Sequence, residues 1–288
     1  MTSRVPALIV HGGAGPEPAD GREEARAGIR EALDAGWRTL EGGGSALDAV
    51  EAAVRALEDH PRFNAGRGSV LTTAGTVEMD AAIMDGDTLR NGAVACVSGI
   101  RNPVTLARRI LEAGAHSFFV GAGALEQARR LGVPECDPAE LVTERQRRRL
   151  AASLAGTVGA VAMDRRGSLA AATSTGGMAG QLPGRVGDSP LVGCGTYAET
   201  SAGAVSCTGE GEAIIRVALA RRTLEFLRIV DDPERAADIA MTCLAEEGRG
   251  RGGLVLMDWK GRMAWAHCTP FMAVGFRSPA HAEPLVPF

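Results

Sequence analysis

Apolar and polar residues change their spacing several times along the chain, and each change marks an element. Ala7-Leu8-Ile9-Val10 is a continuous apolar run of strand length, ended by His11-Gly12-Gly13-Ala14-Gly15. Ala25, Ile29, Leu33, Trp37 and Leu40 recur at helical spacing and predict a helix over 22–40. Ser45, with Asp48 three residues on, is a short-armed capping box opening a second helix to about Glu58. The period then falls to two. Strands are predicted over 69–72 and 76–84 around the turn Ala74-Gly75, and over 91–98. Asn102, with Pro103 at the first helical position, starts a helix to about Glu112. Ser117–Val120 is a short apolar run, and a helix over 123–131 follows it.

From Gly132 to Gly156 the pattern weakens. Pro134, Asp137-Pro138 and the run Arg145-Gln146-Arg147-Arg148-Arg149 read as a surface connection, with a short helix over 143–153 and the arginines on a solvated face. Strand pairs return after Thr157. Residues 158–163 and 169–174 flank the turn Asp164-Arg165-Arg166-Gly167, and an apolar strand leads into Cys207. Helices follow over 211–228 and 233–246. Then 254–257 and 263–266 flank Asp258-Trp259-Lys260-Gly261, a turn of the same Asp-x-x-Gly form. Strands and helix pairs in this order disfavour a doubly wound parallel sheet. They predict an α+β fold of antiparallel sheets with helices packed outside. No stretch has the composition of a linker, so 1–288 is expected to be a single domain.

Composition narrows the function classes. The 288 residues carry a formal net charge of −4 and only 4% aromatics, with no basic stripe interleaved with rings, which argues against a nucleic-acid partner. The start is too short for a signal peptide and no segment is long enough to span a bilayer, so no membrane partner is expected. The six cysteines are scattered, without a C-x-x-C pair. That suggests neither zinc nor a disulfide framework, and a cytoplasmic location is expected. Glycine is the outlier at 38 residues, clustered in HGGAG, EGGGS, STGG, LPGRVGD and CTGEGE. Such placement suggests backbone brought close to a ligand, or tight turns at strand ends.

The candidate chemistry centres on Gly156-Thr157. By itself the step is the start of a strand. If the chain were cut before Thr157, that residue would carry a hydroxyl and a free α-amine of ordinary pKa about 7.7–8, supplying nucleophile and base together. Three small-residue motifs keep it company. In 182–190, Arg185 and Asp188 lie three residues apart in a loop fixed by glycine and proline. An arginine fork suits a carboxylate and an aspartate suits an ammonium, so the pair could grip both α-groups of an amino acid. The alternative is an Arg185–Asp188 ion pair pinning its own loop. Thr208-Gly209, before Gly211, stands at a strand-to-helix junction whose N–H groups could hold an oxyanion, or could form an ordinary turn. Thr175 ends a strand where its hydroxyl could sit over the site.

These stretches, GTVGAVAMD, AAATSTGGM, LPGRVGDSPLVG and CTGEGE, resemble the plant-type L-asparaginases, or isoaspartyl aminopeptidases, which are N-terminal nucleophile hydrolases. IVHGGAG, GGSALDAVEAAVRALED and FNAGRGSV…VEMDAAIMDG agree, so the resemblance covers nearly the whole chain. It implies a four-layer αββα sandwich and a precursor that cuts itself between Gly156 and Thr157. The products would be an α-subunit of 1–156 and a β-subunit of 157–288, paired as (αβ)2. It implies hydrolysis of L-asparagine and of β-aspartyl dipeptides, both small molecules, with no cofactor for catalysis. Thr157 matches the nucleophile and Thr175 the threonine that orients it. Arg185 matches the ligand of the substrate α-carboxylate, Asp188 that of the α-amine, Thr208 and Gly209 the oxyanion hole, and Gly211 a backbone ligand. Asn64 matches an asparagine near the nucleophile. Residues 57–67 resemble a loop whose backbone carbonyls bind a structural sodium ion, with Leu57, Glu58, His60, Phe63, Ala65 and Arg67 as the matched ligands.

The chain departs from the family pattern at Ala179-Gly180, where many members carry Thr-Asn, and at Cys268, where asparagine is usual. Both departures would bear on the leaving-group side. Glycosylasparaginases, the related alternative, usually begin the β-subunit with His-Asp-Thr, which is absent here. A nucleotide-binding reading of Gly121-Ala122-Gly123 fails because Glu126 stands where a third glycine is needed. A non-catalytic relative is disfavoured by the intact set Thr157, Thr175, Arg185 and Asp188.

Overall fold

A computed structural model describes residues 4–17, 20–149, 156–281 and 283–288. The predicted switch from period two to helical spacing recurs in it as two sheets with helices against them. The larger sheet has the order β11-β1-β5-β6-β2-β3-β4. Its strands are β1 (Ala7–Gly15), β2 (Met79–Asp85), β3 (Asn91–Val97), β4 (Phe118–Val120), β5 (Val158–Met163), β6 (Leu169–Thr175) and β11 (Phe271–Arg277). The smaller sheet runs β10-β9-β8-β7, from β7 (Thr196–Glu199), β8 (Gly203–Gly209), β9 (Gly252–Asp258) and β10 (Met263–His267). Pairing is antiparallel throughout except between β3 and β4.

Alternation along β1 decides which face meets what. Ala7 and Ile9 join Val161, Met163 and Ala171 in a cluster with Ala204, Val255 and Met257 of the smaller sheet. Leu8 and Val10 turn the other way, onto Ile29, Leu33 and Trp37 of α1 (Arg22–Glu41) and Ala49, Val50 and Val54 of α2 (Ala46–Asp59). A separate cluster joins β8 and β9 to the later helices. These are α7 (Gly211–Val217), α8 (Leu219–Val230) and α9 (Pro233–Glu246). Met79 and Val94 pack on α3 (Pro103–Ala113) and α4 (Gly121–Arg130). Two short helices, α5 (Pro138–Leu141) and α6 (Glu144–Arg149), follow.

Local signals in the sequence have clear structural counterparts. Ser45 Oγ accepts from the Asp48 N–H at 3.1 Å while the Asp48 carboxylate accepts from the Ser45 N–H at 3.1 Å, so the capping box closes in both directions. Each Asp-x-x-Gly turn is held by its aspartate. Asp164 Oδ1 accepts from Arg166 and Ser168, Asp258 Oδ1 from Lys260 and Arg262.

Other expectations differ from the structure. Residues 69–72 form no strand, because their main chain is engaged elsewhere: the Val70 N–H donates to Asn64 Oδ1 and the Leu71 carbonyl accepts from Gly180. The helix over 211–228 is broken at Ala218, whose φ of 49° lies in the left-handed region. The described part of the connection after Gly132, up to Arg149, is not a detached surface segment. Arg145 donates to the Arg62 carbonyl and Gln146 Nε2 to that of Gly68, at 2.5 Å. The predicted helix over 143–153 therefore begins as α6, and its part over 150–153 lies outside the described residues. The nucleotide-binding candidate at Gly121 opens α4 behind the edge strand β4.

Candidate active site

Thr157 immediately precedes β5, is 5% exposed, and lies beside the end of β6 because those two strands pair. Its hydroxyl donates to Thr175 Oγ1 at 3.3 Å. Thr175 in turn donates its single hydroxyl proton to the Gly156 carbonyl at 2.9 Å and accepts from the Gly177 N–H at 3.0 Å. The Gly156 carbonyl has a second donor, Asn64 Nδ2, at 2.6 Å. The same amide nitrogen reaches the Gly177 carbonyl at 2.7 Å, and Asn64 Oδ1 accepts from Val70 at 2.8 Å. These bonds fix the amide's orientation, since a flip would set its oxygen against two carbonyls. The oxygen of the peptide bond before Thr157 is thus held by two donors from two different halves of the chain.

A narrow cleft opens beside Thr157 and Thr175, lined also by Arg185, Asp188, Gly209 and Gly211. The sequence left open whether Arg185 and Asp188 pair with each other. Arg185 instead pairs with Glu212, through Nε and Nη2 at 2.9 Å each, and reaches Gln181 with Nη1 at 3.3 Å. Asp188 is 4% exposed, and among the described residues its Oδ2 has no hydrogen-bond partner. Burial raises its carboxyl to about 7, against the lowering pull of its own backbone N–H and of Arg185. An acceptor buried without a donor is the environment in which an incoming ammonium is most favoured.

Thr208, at the end of β8, is fully buried, and its hydroxyl oxygen accepts from the Ala14 N–H at 3.2 Å. That leaves its proton to donate. Thr208 is not among the residues lining the cleft, whereas Gly209 and Gly211 are. Ala179, Gly180 and Cys268 do not line it either. On the other side of Gly156 lies a cavity of about 350 Å³ bordered by Gly13, Phe63, Asn64, Arg145 and Phe271.

Residues 57–67, the end of α2 and the loop after it, contain Asn64. Pro61 has no N–H to close the helical bond to the Leu57 carbonyl. The Glu58 carbonyl accepts from the Arg67 N–H at 2.8 Å. A Cβ at Gly66 would meet that same oxygen at 2.5 Å, and one at Gly68 would meet the Phe63 carbonyl at 2.6 Å. The backbone at Gly66 and Gly68 thus passes close to the carbonyl oxygens of Glu58 and Phe63.

Several partners escaped the sequence reading. Glu212 and Gln181 orient Arg185, and Asp80 reaches the same loop. His11 begins a buried polar chain: His11 Nε2 to Ser206 Oγ at 2.9 Å, Ser206 to Thr173 at 2.7 Å, Thr173 to Thr196 at 2.6 Å. Burial lowers His11 to about 3, so the ring is neutral. An ionisable or hydroxyl residue inside an apolar strand was the available signal, and it is carried by His11, Asp80 and Thr173 alike. The chain crosses β5 at Gly159, where a Cβ would strike Ser206 Oγ and lie 2.5 Å from His11 Nε2. Gly159→Ala is therefore expected to cost about 1–3 kcal/mol through overpacking. Thermal unfolding should show a midpoint several degrees lower.

A family model described as asparaginase matches residues 4–155 and 151–285. The chain belongs to the asparaginase family. Among the curated proteins it is similar to the isoaspartyl peptidase/L-asparaginase of Danio rerio, at 47% identity over 91% of this chain and 88% of that one. The Homo sapiens protein of the same description is 46% identical over 91% and 92%. The plant-type L-asparaginase of Pyrococcus abyssi is 42% identical over 96% and 98%.

Proposed function

We propose that this chain is a self-processing threonine amidohydrolase that converts L-asparagine to L-aspartate and ammonia and removes β-aspartyl residues from dipeptides. The observation that carries the reading is the doubly held Gly156 carbonyl beside the Thr157 hydroxyl, at the mouth of a cleft containing Arg185 and Asp188. The names of the relatives from Danio rerio and Homo sapiens give both activities, and 47% and 46% identity supports carrying them here.

In this reading Thr157 Oγ bonds to the Gly156 carbonyl carbon, and the Gly156–Thr157 C–N bond breaks as the hydroxyl proton passes to the departing nitrogen. Water hydrolyses the resulting ester, which separates an α-subunit, 1–156, from a β-subunit, 157–288, whose first residue carries the freed amine. Asn64 and Thr175 hold the oxygen as it gains charge. In the mature enzyme Thr157 Oγ attacks the substrate's side-chain carbonyl while its freed amine takes the proton. The Gly209 N–H, which lines the cleft, holds the new oxyanion, and the Thr208 hydroxyl, buried behind it, would join it only once substrate opens the cleft that far. The proton passes to the leaving nitrogen, ammonia or an amino acid departs, and water releases aspartate from the ester. Arg185 binds the α-carboxylate. Asp188, with Gly211 beside it, binds the α-ammonium.

The helix pairs packed on each sheet support a four-layer αββα sandwich of the N-terminal nucleophile type. Assembly as (αβ)2 is part of the proposal. The carbonyls of Leu57, Glu58, His60, Phe63, Ala65 and Arg67 would hold a sodium ion, whose charge would stiffen the loop that presents Asn64. No helix among the described residues is long and apolar enough to cross a membrane.

The test is aspartate release from L-asparagine and a β-aspartyl dipeptide, followed across pH. Asp188 must be ionised to receive an ammonium, and its carboxyl sits near 7 in the free protein. KM should therefore rise about tenfold per unit as pH falls below 7, because protonation removes the acceptor. A bound ammonium pulls the carboxyl back down, so kcat should instead follow the Thr157 amine. A KM flat between pH 5 and 8 would remove Asp188 from this role.

A further inference from the structure

Arg185 sits in a stretch over 181–190 that belongs to no strand or helix. Turns serve part of its main chain, as where the Arg185 N–H donates to the Leu182 carbonyl at 3.1 Å, and side chains supply further partners. Two carboxylates do so on either side of Arg185. Glu78 Oε2 accepts from the Gly184 N–H at 2.7 Å, and Asp80 Oδ2 accepts from the Gly187 N–H at 2.9 Å. Glu78 immediately precedes β2 and Asp80 lies in it, so the two share a face while Met79 between them turns into the α3 cluster.

Asp80 is itself over-determined. It is 2% exposed, and its other oxygen, Oδ1, accepts from the Cys96 N–H at 2.9 Å. Cys96 lies where the β2–β3 register shifts, between the pairs Met79↔Val97 and Ala81↔Val94, and it has a φ of 50°. A bulge residue in the left-handed region persists only where its surroundings hold it. Its thiol also lies 3.7 Å from the Arg185 carbonyl. On its other side Asp80 is in register with Thr175 on β6. One carboxylate thus ties the arginine loop to the strand carrying the threonine that touches Thr157.

We propose that Asp80, assisted by Glu78, is the positioning residue that sets Arg185 at the distance from Thr157 required to receive the substrate carboxylate. This rests on the assignment of Arg185 given above. Asp80 and Glu78 lie before Gly156 and the loop after it, so the first half of the chain aligns the binding group of the second.

The experiment compares Asp80→Ala, Asp80→Asn and Glu78→Gln with wild type in three readouts. These are KM and kcat for L-asparagine, completeness of the Gly156–Thr157 cut, and trypsin nicking after Arg185 mapped by mass. Asp80→Ala is expected to raise KM about 10–100-fold with kcat within about threefold, since buried acceptors are lost while the nucleophile is untouched. Asp80→Asn, which keeps one acceptor, should fall between Ala and wild type. Nicking at Arg185 should quicken in the same order, with the cut before Thr157 still complete. An unchanged KM in Asp80→Ala overturns the proposal. So does a parallel loss of kcat and cutting, which is the mark of a merely structural role. If the wild type itself released no aspartate, the functional reading would fail and nicking alone would decide. Quicker nicking would uphold the clamp on the loop, and equal nicking would overturn it.

Discussion

Thr157→Ala is expected to leave a single chain of 29.8 kDa and to abolish amide hydrolysis. The hydroxyl that would attack Gly156 and the hydroxyl that would attack substrate are the same atom, so one substitution removes both reactions. Loss of a catalytic nucleophile lowers kcat by roughly 10⁴–10⁶-fold, the remainder coming from binding and oxyanion donors. The fold should survive, because among the described residues the side chain makes one long hydrogen bond, 3.3 Å to Thr175, and Val158 behind it carries the packing. Thr157→Ser separates hydroxyl from methyl. Serine retains the nucleophile but loses the β-branch that limits χ1, so cutting and hydrolysis should both persist, slowed about 3–10-fold. Intact mass and aspartate release, read on the same samples, check the pair. An alanine variant that is cut at Gly156, or that hydrolyses asparagine at the wild-type rate, would end the assignment.

Much of the scaffold was legible because it follows local rules. The capping box at Ser45, the proline opening α3 and both Asp-x-x-Gly turns are written in a few adjacent residues, and the structure contains each. β11 was missed, and so was β7, four residues in which Thr196 and Ala198 are buried while Tyr197 and Glu199 are half exposed. Such a segment is too short for its period to stand out. The strand expected over 69–72 failed for a tertiary reason: Asn64 and Gly180 take its hydrogen bonds.

At the site, the sequence singled out side chains several of which the fold brings to one cleft, but it did not show their partners. The spacing left open whether Arg185 pairs with Asp188, three residues away; its partner is Glu212 on α7, which no local spacing could reveal. The arginine run before Thr157 read as solvated, yet Arg145 and Gln146 dock α6 onto the carbonyls of Arg62 and Gly68. The start of α6 and the loop presenting Asn64 are therefore packed together, a fact that lives in contacts about 80 residues apart.

That packing makes Asn64 the second critical test. Asn64→Ala should slow the cut before Thr157 by about 10²–10³-fold, the usual effect of removing one donor to a developing oxyanion. The variant confounds two losses, because Val70 and the Gly177 carbonyl also lose their partner. Asn64→Asp separates them. The carboxylate keeps an acceptor for the Val70 N–H but turns an oxygen toward the Gly156 carbonyl, where the amide nitrogen stood at 2.6 Å. If Asn64 acts through that carbonyl, Asp should be at least as slow as Ala. If it acts only by holding Val70, Asp should cut nearly as fast as wild type. Slow cutting also exposes the link between processing and activity. In the uncut chain the Thr157 nitrogen is an amide, which cannot take a proton from its own hydroxyl. Aspartate release from Asn64→Ala should therefore begin near zero and grow in proportion to the cut fraction over time. Full activity in uncut Asn64→Ala would mean that Thr157 does not use its own amine, and another base would have to be sought around the cleft.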